Sequence, residues 1–238
     1  MDWSLFSYGP KGWGDELIRG FELTLRLGVT SVVLGTLAGL VLAIGELSRF
    51  SAGARLLEIY NLVMRSVPEL LVIFLTYYGA SFALQGGLGL LGLDYFIEVN
   101  AFWAGVLALG MIHAAYASEV FRGALFAVPS GQIEAAVAFG MSRPKTFMRI
   151  KLPIAIRLSV AGLINLMMTT LKNTPLVSAI GLQDLIRAAG EAAQNTKQYF
   201  QFYMASLVIY LVIAGAALLF QTHLEGRLFA HLGRPKAA

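Results

Sequence analysis

Five long apolar runs, at about residues 23–45, 62–84, 101–120, 158–180 and 202–220, constrain this chain more than any other feature. Each is close to the roughly 20 residues that a helix needs to cross the hydrocarbon core of a bilayer. The polar residues are gathered between the runs. Of 238 residues only 13% are charged and 57% are hydrophobic, whereas about a quarter of an ordinary soluble domain is charged. The fold class this predicts is an all-α integral membrane domain of five transmembrane helices. No Pro/Ser-rich linker, low-complexity tract or internal repeat divides the chain, so residues 1–238 read as one domain.

The amino terminus places its first cation at Lys11 and follows it with Asp15 and Glu16. It lacks the short basic region and small-residue cleavage site of a signal peptide, so the first run is expected to stay as a helix. With no cysteine, no disulfide, thiolate nucleophile or cysteine metal site is expected.

Lysines and arginines accumulate on the cytoplasmic side of a membrane protein. With the amino terminus outside, the inner segments hold Arg49, Arg55, Arg122, Arg143, Lys145, Arg149, Lys151, Arg157, Arg227, Arg234 and Lys236. The outer segments hold only Lys11, Arg19, Arg187 and Lys197. This bias predicts an external amino terminus and a cytoplasmic carboxyl terminus. The net charge of +4 follows from topology, and no basic face with interleaved aromatics points to nucleic acid. The outer loop 85–100 is glycine-rich and without cations, while 181–201 fits a short amphipathic helix at the outer surface.

In the first run Ser31, Gly35, Gly39 and Ala43 recur every fourth residue. Such a smooth stripe lets another helix approach closely, and internal packing is its expected role. Ionisable residues at membrane depth cost about 2.5 to 3.5 kcal/mol at a helix centre on insertion scales, so each needs a partner or a watery cavity. Glu22 and Arg26 are expected to pair locally. The spacings of Arg65 with Glu69 and of Glu119 with Arg122 put each pair on one helix face. For Arg65, Glu69 and Lys172 both local pairing and a place in a translocation path or subunit interface stay open. Pro68 frees backbone carbonyls within the second run, which makes RSVPEL, 65–70, a kinked polar site.

Between the third and fourth runs lies EAAVAFGMSRPKTFMRIKLP, 134–153, a polar module in an apolar chain. Ser130 can cap a first helix, Gly140 can end it in a left-handed conformation, and Ser142 with Pro144 can start a second. Pro153 is expected to stop that second helix, on which Lys145 and Arg149 project together. A first helix exposing Ala135, Ala136 and Gly140, with Glu134 at its rim, suits insertion into a protein socket.

EAAVAFG followed by IKLP resembles the EAA signature of permease subunits in ATP-binding-cassette importers, here Glu134, Ala135, Ala136, Gly140, Ile150, Leu152 and Pro153. The segments RSVPELLVIFLTYYG, SEVFRGALFAVPSGQ and LKNTPLVSAIGL are similar to the polar-amino-acid branch of that family. The resemblance implies a type I importer permease fold in a bacterial cytoplasmic membrane, with loop 127–153 docking on a cytoplasmic ATPase dimer. It also implies an external amino-acid-binding protein and a second permease subunit, the same chain or a related partner. ATP and magnesium would sit on the ATPase, in keeping with the absence of any G-x-x-x-x-G-K-[S/T] loop here. No cofactor is expected on this chain, nor enzymatic activity of its own.

RSVPEL resembles the subgroup moving histidine, lysine, arginine, ornithine and opines. Candidate path residues are Arg65, Pro68, Glu69, Asn165 and Lys172, Glu69 being able to complement a cationic substrate. Two positions depart from the family pattern. Asn165 is followed by Leu166 where many relatives have glutamate, and Thr174 by Pro175 where they have serine. A self-contained channel or ion-coupled carrier would use the same buried charges but would leave the alanine-glycine loop without a purpose. His113, His223 and His231 have no metal-ligand spacing, and no nucleophile with a neighbouring base suggests an enzyme. The basic loop also suits contact with membrane lipid.

Overall fold

In the computed structural model, which describes residues 3–9, 12–47, 51–90 and 99–229, every regular element is helical. Lys11, Arg49, Arg234 and Lys236 lie outside the described residues, as does the stretch 91–98 of the glycine-rich loop. The elements are α1 (Gly14–Glu46), α2 (Ser51–Ser66), α3 (Glu69–Leu90), α4 (Ala101–Phe126), α5 (Ser130–Ala138), α6 (Arg143–Thr146), α7 (Leu152–Asn173), α8 (Leu185–Thr196) and α9 (Tyr199–Phe229).

Four helices are each long and apolar enough to cross a membrane, and a fifth span is possible if α2 and α3 are taken together. The run expected at 62–84 is divided between α2 and α3, which meet at a bend of 112°, the kink expected at RSVPEL. Pro68 explains the break, because its ring and missing N–H exclude it from a helix interior. Residues 85–90 of the loop expected at 85–100 continue α3 to Leu90.

The core sits between α1 and α4. Ser31, Gly35, Gly39 and Ala43 are all buried, as internal packing requires. A Cβ added to Gly35 would lie 2.7 Å from the Gly110 carbonyl oxygen, and one on Gly39 2.6 Å from the Ala117 methyl. Only glycine permits that approach of backbones. The most apolar stretch of α4 is 67% buried against 17% for α9, which makes α4 the central helix and leaves α9 peripheral.

The segment 181–201 contains α8, whose Leu185, Ala188, Ala189, Ala192 and Ala193 are buried beside Leu17 and Phe202. Asp184 caps it, its carboxylate accepting from the Ile186 and Arg187 amides at 3.3 and 3.0 Å.

Two expectations for the polar module change. Ser130 is the first residue of α5 rather than its cap, that place falling to Pro129 without a side-chain bond. Pro153 stops nothing. It lies in the first turn of α7, directly after a π-helical turn over Phe147–Lys151 that joins α6 to α7. A π turn shifts the hydrogen-bond register by one residue, and proline fits where its missing donor is not needed.

Candidate functional site

At Gly140 the backbone takes φ of +79°. The Gly140 amide donates to the Val137 carbonyl at 2.9 Å and the Met141 amide to that of Ala136 at 3.0 Å, the paired closure that ends helices on glycine. This turns the chain sharply, so that α5 and the α6–α7 junction flank a cavity of about 670 Å³ lined by Ala135, Ala136, Phe139, Ile150, Pro153 and Arg157. Ala136 is 7% exposed and is turned inward, against the expectation that it faces outward with Ala135. A nine-residue helix with small residues at adjacent positions carries little sequence signal for its azimuth. Glu134 stays exposed, Leu152 is half-buried outside the cavity lining, and Phe139 is 90% exposed. The phenyl ring of Phe139, not singled out by the sequence, is more exposed than the other large hydrophobic side chains of this loop, Met148 and Val137.

A second cavity, of about 440 Å³, opens between α3, α4 and α7. Glu69, Tyr116, Glu119, Asn165, Thr169 and Asn173 line it. Asn165, Thr169 and Asn173 recur at helical spacing, so α7 presents one polar edge to it. The Glu69 carboxylate faces the Asn173 amide across the cavity, and among the described residues no lysine or arginine pairs with Glu69.

Arg65 does not pair with Glu69. The break at Pro68 separates them, and Arg65 Nη2 instead lies 3.3 Å from Glu119 Oε1 on α4. Glu119 Oε2 also takes Arg122 Nη2 at 3.1 Å, and Arg122 Nε lies 3.8 Å from Glu46 Oε2. Glu46 Oε1 accepts from the Asn61 amide and, at 3.2 Å, from the Ser118 hydroxyl. Two carboxylates and two guanidinium groups thus alternate across α2, α4 and the end of α1. Glu46 and Asn61 were not legible as members: one ends an apolar run and the other lies in an amphipathic helix, and neither position signals its partner.

Of the five path candidates, Glu69 and Asn165 meet in the α3–α4–α7 cavity, with Arg65 and Pro68 at the α2–α3 bend beside it. Lys172 departs from this group. It is exposed at the neighbouring edge of α7, outside this cavity, in a groove with Tyr203, Leu207 and Tyr210 of α9. Glu22 and Arg26 form the expected local pair.

A bundle of apolar helices with a polar cavity along one side and a capped, aromatic-tipped loop at one end defines a multi-pass membrane transport component. Residues 35–230 match the family described as binding-protein-dependent transport system inner membrane component, and the chain belongs to it. It is 41% identical over 218 residues to the nopaline transport system permease protein NocQ of Agrobacterium fabrum, covering 91% of this chain and 92% of that one. It is 38% identical over 212 residues to the histidine/lysine/arginine/ornithine transport system permease protein HisQ of Escherichia coli, covering 88% and 92%. A solved amino acid ABC transporter with histidines superposes with a TM-score of 0.78 at 31% identity, covering 90% of this chain and 95% of that one. The MetNI methionine ABC transporter shares the fold, with a TM-score of 0.66 at 17% identity.

Proposed function

We propose that this chain forms half of the membrane pathway of an importer for basic amino acids or opines, coupled to separate cytoplasmic ATPases through α5 and Gly140. The observation that carries the substrate class is Glu69, a carboxylate in a polar cavity with no cationic partner among the described residues. A cationic side chain entering the cavity would supply the missing charge. Glu119, on the same cavity wall, is already neutralised by Arg65 and Arg122. The names of NocQ and HisQ support the same class of cargo.

The cavity lies along one side of a single chain, so a second permease subunit completes the path, and a related chain in a heterodimer suits the departures at Leu166 and Pro175. ATP and magnesium are held by the ATPases, and an external binding protein delivers the amino acid. The amino terminus lies outside and the carboxyl terminus in the cytoplasm. Phe139 enters the ATPase as an apolar anchor, with Glu134 at the rim and Ala135, Ile150 and Pro153 shaping the cavity behind it. Residues 1–238 act as one transmembrane unit.

Co-purification of the ATPase with wild type, Phe139→Asp and Gly140→Asp tests the coupling. Both variants should keep the thermal unfolding of the isolated permease and lose the ATPase. Full recovery of the ATPase and of uptake by both variants would contradict docking through this loop.

A further inference from the structure

We propose that His113 is a positioning residue that holds the polar edge of α7 against the α1–α4 pair, and that substrate affinity depends on it. The proposal rests on the reading of the α3–α4–α7 cavity as the substrate path. His113 is 1% exposed on α4 and bridges two other helices. Its Nε2 lies 2.9 Å from Thr36 Oγ1 of α1, and its Nδ1 lies 2.7 Å from Thr170 Oγ1 of α7.

A neutral imidazole can join the two threonines in either tautomer. In one, Thr170 donates its hydroxyl proton to the Leu166 carbonyl at 3.1 Å and its oxygen accepts from Nδ1, with Nε2 accepting from the Thr36 hydroxyl. In the other, Thr170 donates to Nδ1 and Nε2 donates to the Thr36 oxygen. A neutral imidazole has one donor and one acceptor, and both are used. The ring has no nitrogen left for a substrate, although it forms part of the cavity wall. Its effect on binding passes through α7.

The neighbouring residues are shaped around this ring. A Cβ on Gly35 would fall 2.9 Å from His113 Cβ and 3.0 Å from its Cδ2, so glycine at 35 is what allows α1 to bring Thr36 within reach. On the other side Thr170 follows Thr169 directly and stands three residues before Asn173. Holding Thr170 sets the rotation and height at which Thr169 and Asn173 face Glu69. Alternatives that lose this rotation leave a buried donor and acceptor without partners, which selects one seating of α7.

Because the chain has no cysteine, spin labels on Leu37→Cys and Leu158→Cys report the α1–α7 distance in the complex reconstituted with cysteine-free partners. His113→Asn keeps an N–H near the Nδ1 position, His113→Leu keeps bulk alone, and Thr170→Val removes the partner on α7. Wild type and His113→Asn should give one narrow distance distribution. His113→Leu and Thr170→Val should broaden it and raise the KM for uptake about tenfold with kcat changed by less than about twofold. An unbroadened distribution in His113→Leu, or His113→Asn behaving as His113→Leu, overturns the proposal. So does a broadened distribution with KM unmoved in His113→Leu while Glu69→Gln moves it, a result that leaves the cavity as the path. KM unmoved in both variants would remove the cavity reading itself, and the proposal with it.

Discussion

Arg65 Nη2 lies 3.3 Å from Glu119 Oε1, joining α2 to α4 beside the bend at Pro68. The consequence of removing either arginine of this network differs with burial. Glu46 has 4% of its side chain exposed, and although Asn61 and Ser118 still donate to it, Arg122→Ala removes the cation beside this buried carboxylate and should destabilise the chain by about 1 to 2 kcal/mol. Arg65 and Glu119 are 35% and 29% exposed, so Arg65→Ala should cost at most about 1 kcal/mol. Unfolding of the solubilised protein followed by circular dichroism checks the order, and equal losses would contradict it.

The α1–α4 contact predicts a sharp contrast between two glycines. A methyl at Gly39 meets the Ala117 Cβ at 2.6 Å and the Ala114 carbonyl oxygen at 2.8 Å, so Gly39→Ala should destabilise by about 1 to 3 kcal/mol. At Gly123 nothing lies within 4 Å, and alanine there should leave stability unchanged or slightly raised. The same unfolding measurement compares the two.

Gly140 is required by conformation rather than by space. Nothing lies within 4 Å of an added Cβ, yet φ is +79°. Gly140→Ala should weaken the end of α5 by about 1 to 2 kcal/mol, and Gly140→Asn by less, since asparagine tolerates this region. Amide hydrogen exchange over 130–141 reads the difference, and equal protection in both variants would count against the cap.

Asp184 is fully buried. Burial pushes its carboxyl above the usual range, against the opposing pull of the Arg187 and Ile186 amides. The folded chain therefore holds this proton more tightly than the unfolded chain does. Its ionised form opposes folding at neutral pH, and that opposition is relieved as pH falls through the raised pKa. Asp184→Asn keeps a capping acceptor without the charge, so it should equal or exceed wild type in Tm at about pH 7.5, with the gap narrowing towards about pH 4.5. A gap that widens on acidification would contradict the sign.

Much of this protein is legible because its signals are local. Apolar runs give helices, Pro68 gives the break, Gly140 gives the end of α5, and the four-residue stripe from Ser31 to Ala43 gives the close face of α1. The pairs that assemble the site are not local. Thr36 and His113 are 77 residues apart and His113 and Thr170 are 57, and no spacing rule links residues on separate helices. Arg65 was drawn towards Glu69 by an intact-helix spacing that the Pro68 break removes. Lys172 stands seven residues from Asn165, about 20° short of two full turns, so helical spacing puts the two near one face; Lys172 sits at the edge of that face turned towards α9, and nothing in the spacing shows that α9 packs there.

The central claim is that the α3–α4–α7 cavity carries a cationic substrate to Glu69, and uptake kinetics of arginine in proteoliposomes containing the full complex test it most directly. Glu69→Gln should raise KM about tenfold or more through loss of a partly desolvated charge contact, while Lys172→Gln, in the α7–α9 groove outside this cavity, should leave KM unchanged. Unchanged KM in Glu69→Gln, with arginine still transported at the wild-type rate, would contradict it.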